Sequence, residues 1–417
     1  MTVMIAIHAH ISFRAVPRVL SFFHSGDDWI PHFTSVINWT LRFGLALLSQ
    51  VTMTPEPWVA IMDHSIDIGV KKVLVVLRLP LNALSKRGSA VTLQDCECIG
   101  IHVSERSTGE DVAVALTDIF AVSGAPSAII KDGGFDLKKG VDLWRKNQDK
   151  MQVKVIDDIG HVVANAIKSQ YSDSRLFNVF LGLVNRCSRQ LQQTQLAFLK
   201  PPKLRTKGRF QGISKFAEWA VKILELFDDA RNDMGLKKLR LSLLGLSQVK
   251  AFIGTFAKTV LQTSEIMKIL KNEGLNQQTY RKCKQMTEDL PERSIARKAI
   301  LAWLEKHLHI QCRLGIGQMP LIVSSDIIES LFGKFKQILD RSSMMDMNRS
   351  VLIIPTLCKT HTEKAVIESL KQILHGDILK WDDANIPYTQ NRKRRSFLNG
   401  NSDFLVPNTG EIISQIT

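Results

Sequence analysis

What the sequence lacks narrows its chemistry first. No stretch reaches the roughly 18 consecutive apolar residues that a bilayer span requires. The first residues lack a basic segment followed by a long apolar one, so no secretory signal is expected. Cysteine is sparse: Cys96, Cys98, Cys187, Cys283, Cys312 and Cys358 are scattered along 417 residues. That usage fits a reducing cytoplasm and excludes a disulfide framework. Cys96 and Cys98 alternate along an expected strand and share one face of it. His307, His309 and Cys312 have no second ligand pair at finger spacing, which leaves them short of a zinc site. Acidic residues are also in deficit, 40 against 55 basic, giving a formal charge of +15 and a pI near 9.6. Such a surplus calls for a polyanionic partner, nucleic acid before anionic membrane. The basic residues are not gathered on an amphipathic helix, so no membrane association is expected.

What is present reads as several segments of different character. Residues 1–50 carry two helical patterns, one through Ile11, Ala15, Val19 and Phe22 and one over 34–48, broken by Gly26-Asp27-Asp28 and Pro31. The polar second member, with Asn38, Thr40 and Arg42, is compatible with a helix-turn-helix that binds DNA. An N-terminal helical cap on the next domain fits it equally well, and Pro17 weakens the first helix. From Pro55 strands alternate with helices. The order is strands at 58–80 (two, joined by a tight bend) and 96–104, a helix 108–122, a strand 127–131, a helix 135–147, a strand 151–156 and a helix opening at His161. Three strands followed by crossovers make a mixed sheet with helices on both faces, the order of the ribonuclease H-like fold.

Residues 173–320 read as almost entirely helical, with Phe216–Phe227 strongly amphipathic. Between Ser174 and Ala217 there are nine basic residues and no acidic one. Lys200, Lys203, Arg205, Lys207 and Arg209 cluster there, and Pro201, Pro202 and Gly208 make the cluster a loop. A solvated charge run is the common explanation, but an unopposed run of this size favours phosphate contact. A last domain segment, 321–390, opens with the helix of SSDIIESLFGKFKQIL, and 391–417 is a basic, flexible tail containing Arg392-Lys393-Arg394-Arg395.

Three carboxylates stand out against this frame. Asp63 lies in an apolar strand run, where a carboxylate is costly unless paired, and a divalent metal is a usual partner. Asp132 ends the strand 127–131. In the expected strand order these two strands are neighbours, so the carboxylates could converge. Glu329 falls on the late helix, with Gly333 and Lys336 on its stripe. Each has an ordinary alternative: a turn-capping Asp beside Ser65 for Asp63, and a first-turn Glu balancing the helix dipole for Glu329.

In these contexts IMDHS, AIIKDGG and DIIESLFGKFK make the chain resemble the DDE transposases of bacterial insertion sequences. The resemblance implies a ribonuclease H-like α/β domain interrupted by an all-α insertion and preceded by a helix-turn-helix-like segment. The expected divisions are 1–50, 55–172, 173–320, 321–390 and 391–417. The 197 positions between Asp132 and Glu329 fit members with a separate domain before the Glu. Lys336 stands where some members carry a basic residue after the Glu, and Ser325 where they carry Arg before it. VIDDIGHVVANAIK also resembles family sequence; its Asp158 and His161 are read either as catalytic polar residues or as a helix cap and a first-turn His.

The implied activity is DNA cleavage and strand transfer with two Mg²⁺ (or Mn²⁺) ions. Asp63 would bridge both, and Asp132 and Glu329 would each hold one, with His161 assisting. The implied partner is double-stranded DNA, both terminal inverted repeats and target. The contacts would come from Lys336, the 200–209 loop, Asn38 and Arg42. A homodimer is plausible in the synaptic complex, and the implied location is the cytoplasm, at the nucleoid. Two rivals remain. One is an inactive or domesticated relic that binds DNA without cutting. The other is a nuclease of ribonuclease H or junction-resolving type, against which the long helical insertion argues.

Overall fold

The most apolar segments pair into one five-stranded mixed sheet in the computed structural model, which describes residues 1–23, 29–66, 72–87, 91–104, 107–204, 210, 212–229, 245–339, 348–386, 394–395 and 397–399. The strands are β1 (Trp58–Ile66), β2 (Lys72–Pro80), β3 (Glu97–Ser104), β4 (Ala128–Lys131) and β5 (Lys154–Asp157), in the order β3-β2-β1-β4-β5. β1 runs antiparallel to β2, which runs antiparallel to β3. β4 joins β1 in parallel, from Val59 opposite Ala128 to Met62 opposite Lys131. β2 is buried without interruption over 73–79, and all of β4 is buried. Strands covered on both faces read as continuous apolar runs, which is why VLVVL and AII carry no alternation.

By contact the chain divides into two compact units. One comprises Met1–Ala83, Val91–Val155 and Ser325–Thr417, the other Leu84–Ala90 and Ile156–Ser324; the division falls inside β5. The helices are α1 (Thr2–His8), α2 (Ala15–Ser21), α3 (Phe33–Ser49), α4 (Leu81–Arg87), α5 (Gly109–Ser123), α6 (Phe135–Asn147), α7 (Ile159–Tyr171), α8 (Arg175–Leu191), α9 (Ser214–Asp229), α10 (Lys250–Glu273), α11 (Gln277–Glu288), α12 (Ile295–Arg313), α13 (Asp326–Leu339), α14 (Glu363–Gln372) and α15 (His375–Asn385). None of them is long and apolar enough to cross a membrane.

In the first unit, α5 and α6 cover one face of the sheet. Their Val112, Leu116, Phe120, Leu137, Val141 and Trp144 form one cluster with Trp58, Ala60, Met62, Leu74, Val76 and Ile129. Thr108 starts α5 with a capping box to Asp111, and Gly124 ends it at φ 82°. On β1 the alternate residues Val59 and Ile61 face the other way, since successive strand side chains point to opposite faces. α13 packs against β1 and adds no residue to the α5–α6 cluster, so it covers that opposite face. Its buried Ile328, Leu331, Phe332, Phe335 and Ile338 recur at helical spacing.

α3 is a central element of this unit. It packs on a 3₁₀ stretch at Arg349–Leu357 and on α14 and α15. Gly44 permits the close approach: a Cβ there would lie 1.7 Å from the Leu352 carbonyl oxygen. Arg349–Leu357 is 3₁₀ rather than α-helical, because Pro355 supplies no N–H and disfavours a continuing α-helix. β5 was expected from Met151; a turn through Asp149 (φ 50°) and residues 151–153 delays it to Lys154. The 392–393 part of the basic tail and residues 400–417 lie outside the described residues.

The second unit is helical over α7 to α12. Its core is aromatic: Phe180 meets Phe216 at 5.3 Å between ring centroids, and Tyr171 meets Phe256 at 5.1 Å.

Candidate functional site

The register of β1 and β4 brings the first two candidate carboxylates side by side. Their last paired residues are Met62 and Lys131, and the next residue on each chain is Asp63 and Asp132. Neighbouring strands lie about 4.8 Å apart. Continuing the alternation, both aspartates fall on the face of Ile61 and Ile130, the face that α13 covers. Each carboxylate is half-buried and turns onto a local amide. Asp63 Oδ1 accepts from His64 N at 2.7 Å, and Asp132 Oδ1 accepts from Gly134 N at 2.7 Å just before α6. Glu329 is exposed in the first part of α13, where its backbone N–H donates to Ser325 O at 3.3 Å. Among the described residues, no group of three or more His, Cys, Asp and Glu side chains is placed to hold a metal ion. The register therefore sets Asp63 beside Asp132 at the ends of the Met62–Lys131 pairing.

His64 follows Asp63 and so points to the other face, where it enters a polar cluster that sequence reasoning missed. Asp136, in the first turn of α6, accepts from Lys72 Nζ at 2.6 Å and lies 3.5 Å from His64 Nδ1. Ser107, just before α5, sits 3.1 Å from His64 Nε2 and 3.3 Å from Asp136 Oδ2. The His64 side chain is 8% exposed and that of Asp136 17%. Burial lowers the His64 pKa to about 4, against the opposing pull of Asp136 and with the help of Lys72, so the ring is neutral near pH 7. The Ser107 hydroxyl donates to Asp136 Oδ2, and its oxygen faces His64 Nε2. Burial alone would raise the Asp136 carboxyl; the Lys72 hydrogen bond and the charges of His64 and Lys72 bring it below its ordinary value. The cluster ties together β1, β2, the start of α5 and the start of α6 directly behind the aspartate pair. Two consecutive polar residues inside an apolar strand, Asp63-His64, were the one local sign of it.

The remaining sequence candidates have varied surroundings. In the second unit, the Asp158 side chain caps α7 by accepting from His161 N at 3.1 Å, and it accepts from Ser324 Oγ at 3.3 Å. His161 is half-buried in the first turn of that helix. His307 accepts from Asp157 N at 3.0 Å through Nε2, and its Nδ1 lies 2.8 Å from the Trp303 carbonyl oxygen. Both ring nitrogens are thus engaged by backbone. Lys200 is half-buried and Lys203 exposed, following a 3₁₀ turn at Ala197–Leu199; Arg205, Lys207 and Arg209 lie outside the described residues. In the first unit, Lys336 is exposed on α13. Arg42 donates to the carbonyls of Ile373 and Leu370 at the end of α14, and Asn38 Oδ1 lies 3.0 Å from His375 Nδ1. Both side chains of α3 assigned to DNA therefore have partners within their own unit. Cys96, Cys98 and Cys358 are buried; burial pushes the first two thiols to about 12 and the third well above its ordinary value.

No protein-family model matches the chain. No curated protein matches its sequence. Among solved structures, the chain is similar to a Drosophila P element transposase strand transfer complex, with 12% sequence identity and a TM-score of 0.44 over 87% of this chain and 92% of that one. Similarity at this level assigns neither residues nor activity.

Proposed function

We propose that the chain is a DDE-type transposase with a ribonuclease H-like catalytic domain, of the kind found in bacterial insertion sequences. The observation that carries the reading is the aspartate pair: Asp63 and Asp132 at adjacent positions of parallel strands, on the face packed by the helix of Glu329. Order and spacing of IMDHS, AIIKDGG and DIIESLFGKFK support it, as does the sheet order, a meander followed by parallel crossover.

The donor set fits a hard divalent cation. Mg²⁺ takes carboxylate oxygens and keeps several waters, so two adjacent aspartates with one further carboxylate form a sufficient site. Asp63 and Asp132 would hold the metal, and Glu329 would complete the set when DNA is bound. Bound Mg²⁺ would favour an attacking oxygen and offset the charge on the leaving one. The chain's own groups do the rest. The His64–Asp136–Lys72–Ser107 cluster holds the end of β1 in place behind Asp63, and the Gly134 N–H orients the Asp132 carboxylate. Lys336 and the basic 200–209 segment bind phosphates of the terminal repeats. In donor-end cleavage water would attack the scissile phosphate, and its 3′-oxygen would leave as a hydroxyl. In strand transfer that 3′-hydroxyl would attack a target-strand phosphate, whose own 3′-oxygen leaves. Arg42 and Asn38, bonded inside their unit, have structural roles that compete with reading DNA.

One observation favours a second reading. Among the described residues no group of three acidic, His or Cys side chains is placed to hold a metal ion, as expected of a relic that binds DNA and does not cut it. A cleavage and strand-transfer assay with Mg²⁺ or Mn²⁺ on the DNA flanking the gene separates the two. Metal-dependent products that vanish in Asp132→Ala establish the transposase; DNA binding without products establishes the relic.

A further inference from the structure

Away from the aspartate pair, the first unit contains a cavity of about 300 Å³ lined by Ile7, His8, His10, Thr92, Gln94, Lys334 and Lys359 together with the neighbouring Leu93, Thr356 and Leu357. Its lining has two lysines, two histidines and an amide, and no carboxylate. The nearby acids are already engaged. Asp95 accepts from Thr92 N at 2.8 Å, and Glu97 is shared between Arg78 and Lys359, the latter at 3.1 Å. The two hydroxyls are committed: Thr92 Oγ1 accepts from Gln94 N and donates to Asp95 Oδ2, and Thr356 Oγ1 donates to Ile353 O. The available groups are therefore overwhelmingly cationic or hydrogen-bond donating.

Two further features mark the cavity. Only His10 (φ 49°), Asp149 and Lys359 (φ 56°) are non-glycine residues with positive φ among the described residues, and two of these three line it. Such backbone is costly for side-chain-bearing residues and concentrates where ligands are held. Beside it, His361 Nε2 is buried without a hydrogen-bond partner, and His361 is near enough to His8 and Lys359 to feel their charge. Burial, and then Lys334 and His8, lower the His10 pKa.

We propose that this cavity binds a phosphate of a nucleic-acid backbone, seated between Lys334 and Lys359 with His8, His10 and Gln94 as donors. No Phe, Tyr or Trp lines it, so it lacks the large stacking surface that a base would use, and this favours a backbone phosphate over a free nucleotide. Lys334 is on the helix that carries Glu329, about 7–8 Å along its axis. A phosphate held here would anchor that helix to the DNA. The inference rests on the proposed DNA-handling function and adds a contact that no sequence motif indicated.

The test is fluorescence anisotropy of a labelled duplex titrated with the full chain at several salt concentrations. The variants are Lys334→Gln combined with Lys359→Asn, the Asn being tolerant of the left-handed backbone, and separately Gln94→Glu, an exposed position whose new carboxylate would repel phosphate. The double variant should bind about tenfold more weakly near 0.1 M salt, with the slope of log K against log salt reduced by about 2. Gln94→Glu should weaken binding in the same direction and guards against a misfolded double variant. Wild-type affinity and slope in both variants would overturn the site while leaving the transposase reading intact. No duplex binding by the wild type would overturn both. Calorimetric binding of adenosine triphosphate that depends on Lys334 and Lys359, with duplex binding unchanged, would also overturn it.

Discussion

Two acidic strand regions in this chain look alike in sequence and differ in structure. In the first unit IMDHS carries Asp63 within β1 and IIKDG carries Asp132 just after β4, while KVIDD closes β5 with Asp157 and Asp158 at the start of the second unit. Asp157 pairs with Lys306 at 2.6 Å, donates its backbone N–H to His307 Nε2 and accepts the Trp303 indole N–H at its carbonyl oxygen. Asp158 is 2% exposed and serves as a helix cap. Asp63 and Asp132 instead accept from nearby backbone amides, remain half-buried, and follow the last paired residues of adjacent parallel strands. An aspartate in or beside a strand is therefore a weak signal by itself. What sets the first pair apart is that the sheet register aligns one with the other.

Substitution in the two regions should break them differently. The largest effect is expected at the first: Asp63→Asn should lower metal-dependent cleavage by about 10³-fold or more, with a thermal midpoint within a few degrees of wild type. Parallel cleavage assays and melts measure this, and a large loss of stability with little loss of rate would reverse the distinction.

Next is the pH response of the polar cluster behind Asp63. His64 has a folded pKa of about 4, below its ordinary 6.5, so the unfolded chain takes up this proton first as pH falls. The stability from keeping it neutral is fully present above about pH 6.5 and is lost toward pH 4, to a total of about 3 kcal/mol. Urea melts of metal-free protein across that range should show the slope, and His64→Gln should remove most of it.

In the second region the effects are structural and smaller. Asp158→Ala should cost about 1–2 kcal/mol through the lost cap and the lost bond from Ser324. Asp157→Asn should cost under about 1 kcal/mol, because Lys306 is 54% exposed and solvent screens the pair. Denaturant midpoints of the two variants decide the order. A larger penalty at Asp157 would show that its ion pair matters more than its exposure allows.

Elements whose physics is local were legible in the sequence. The helix at Phe135–Asn147 and the strands at 58–80 emerge where apolar runs meet Gly, Pro or Asp stops. The adjacency of Asp63 and Asp132 followed from strand order, without any knowledge of register. What stayed hidden is long-range. Lys72 meets Asp136 across 64 positions, and Arg42 meets Ile373 across 331, and no periodicity encodes either contact. The same limit explains α3: its polar residues read as a DNA-facing stripe because their partners on α14 and α15 lie far along the chain. The cationic cavity escaped for that reason too, since His8, Gln94, Lys334 and Lys359 come from four separate segments.

The central claim is that Asp63 and Asp132 together form a divalent-metal site. Mn²⁺ binding to the DNA-bound protein, titrated by electron paramagnetic resonance, tests it without requiring turnover. The account predicts bound Mn²⁺ in the wild type and loss of that signal in both Asp63→Ala and Asp132→Ala. Mn²⁺ binding that is unchanged in either variant would contradict it.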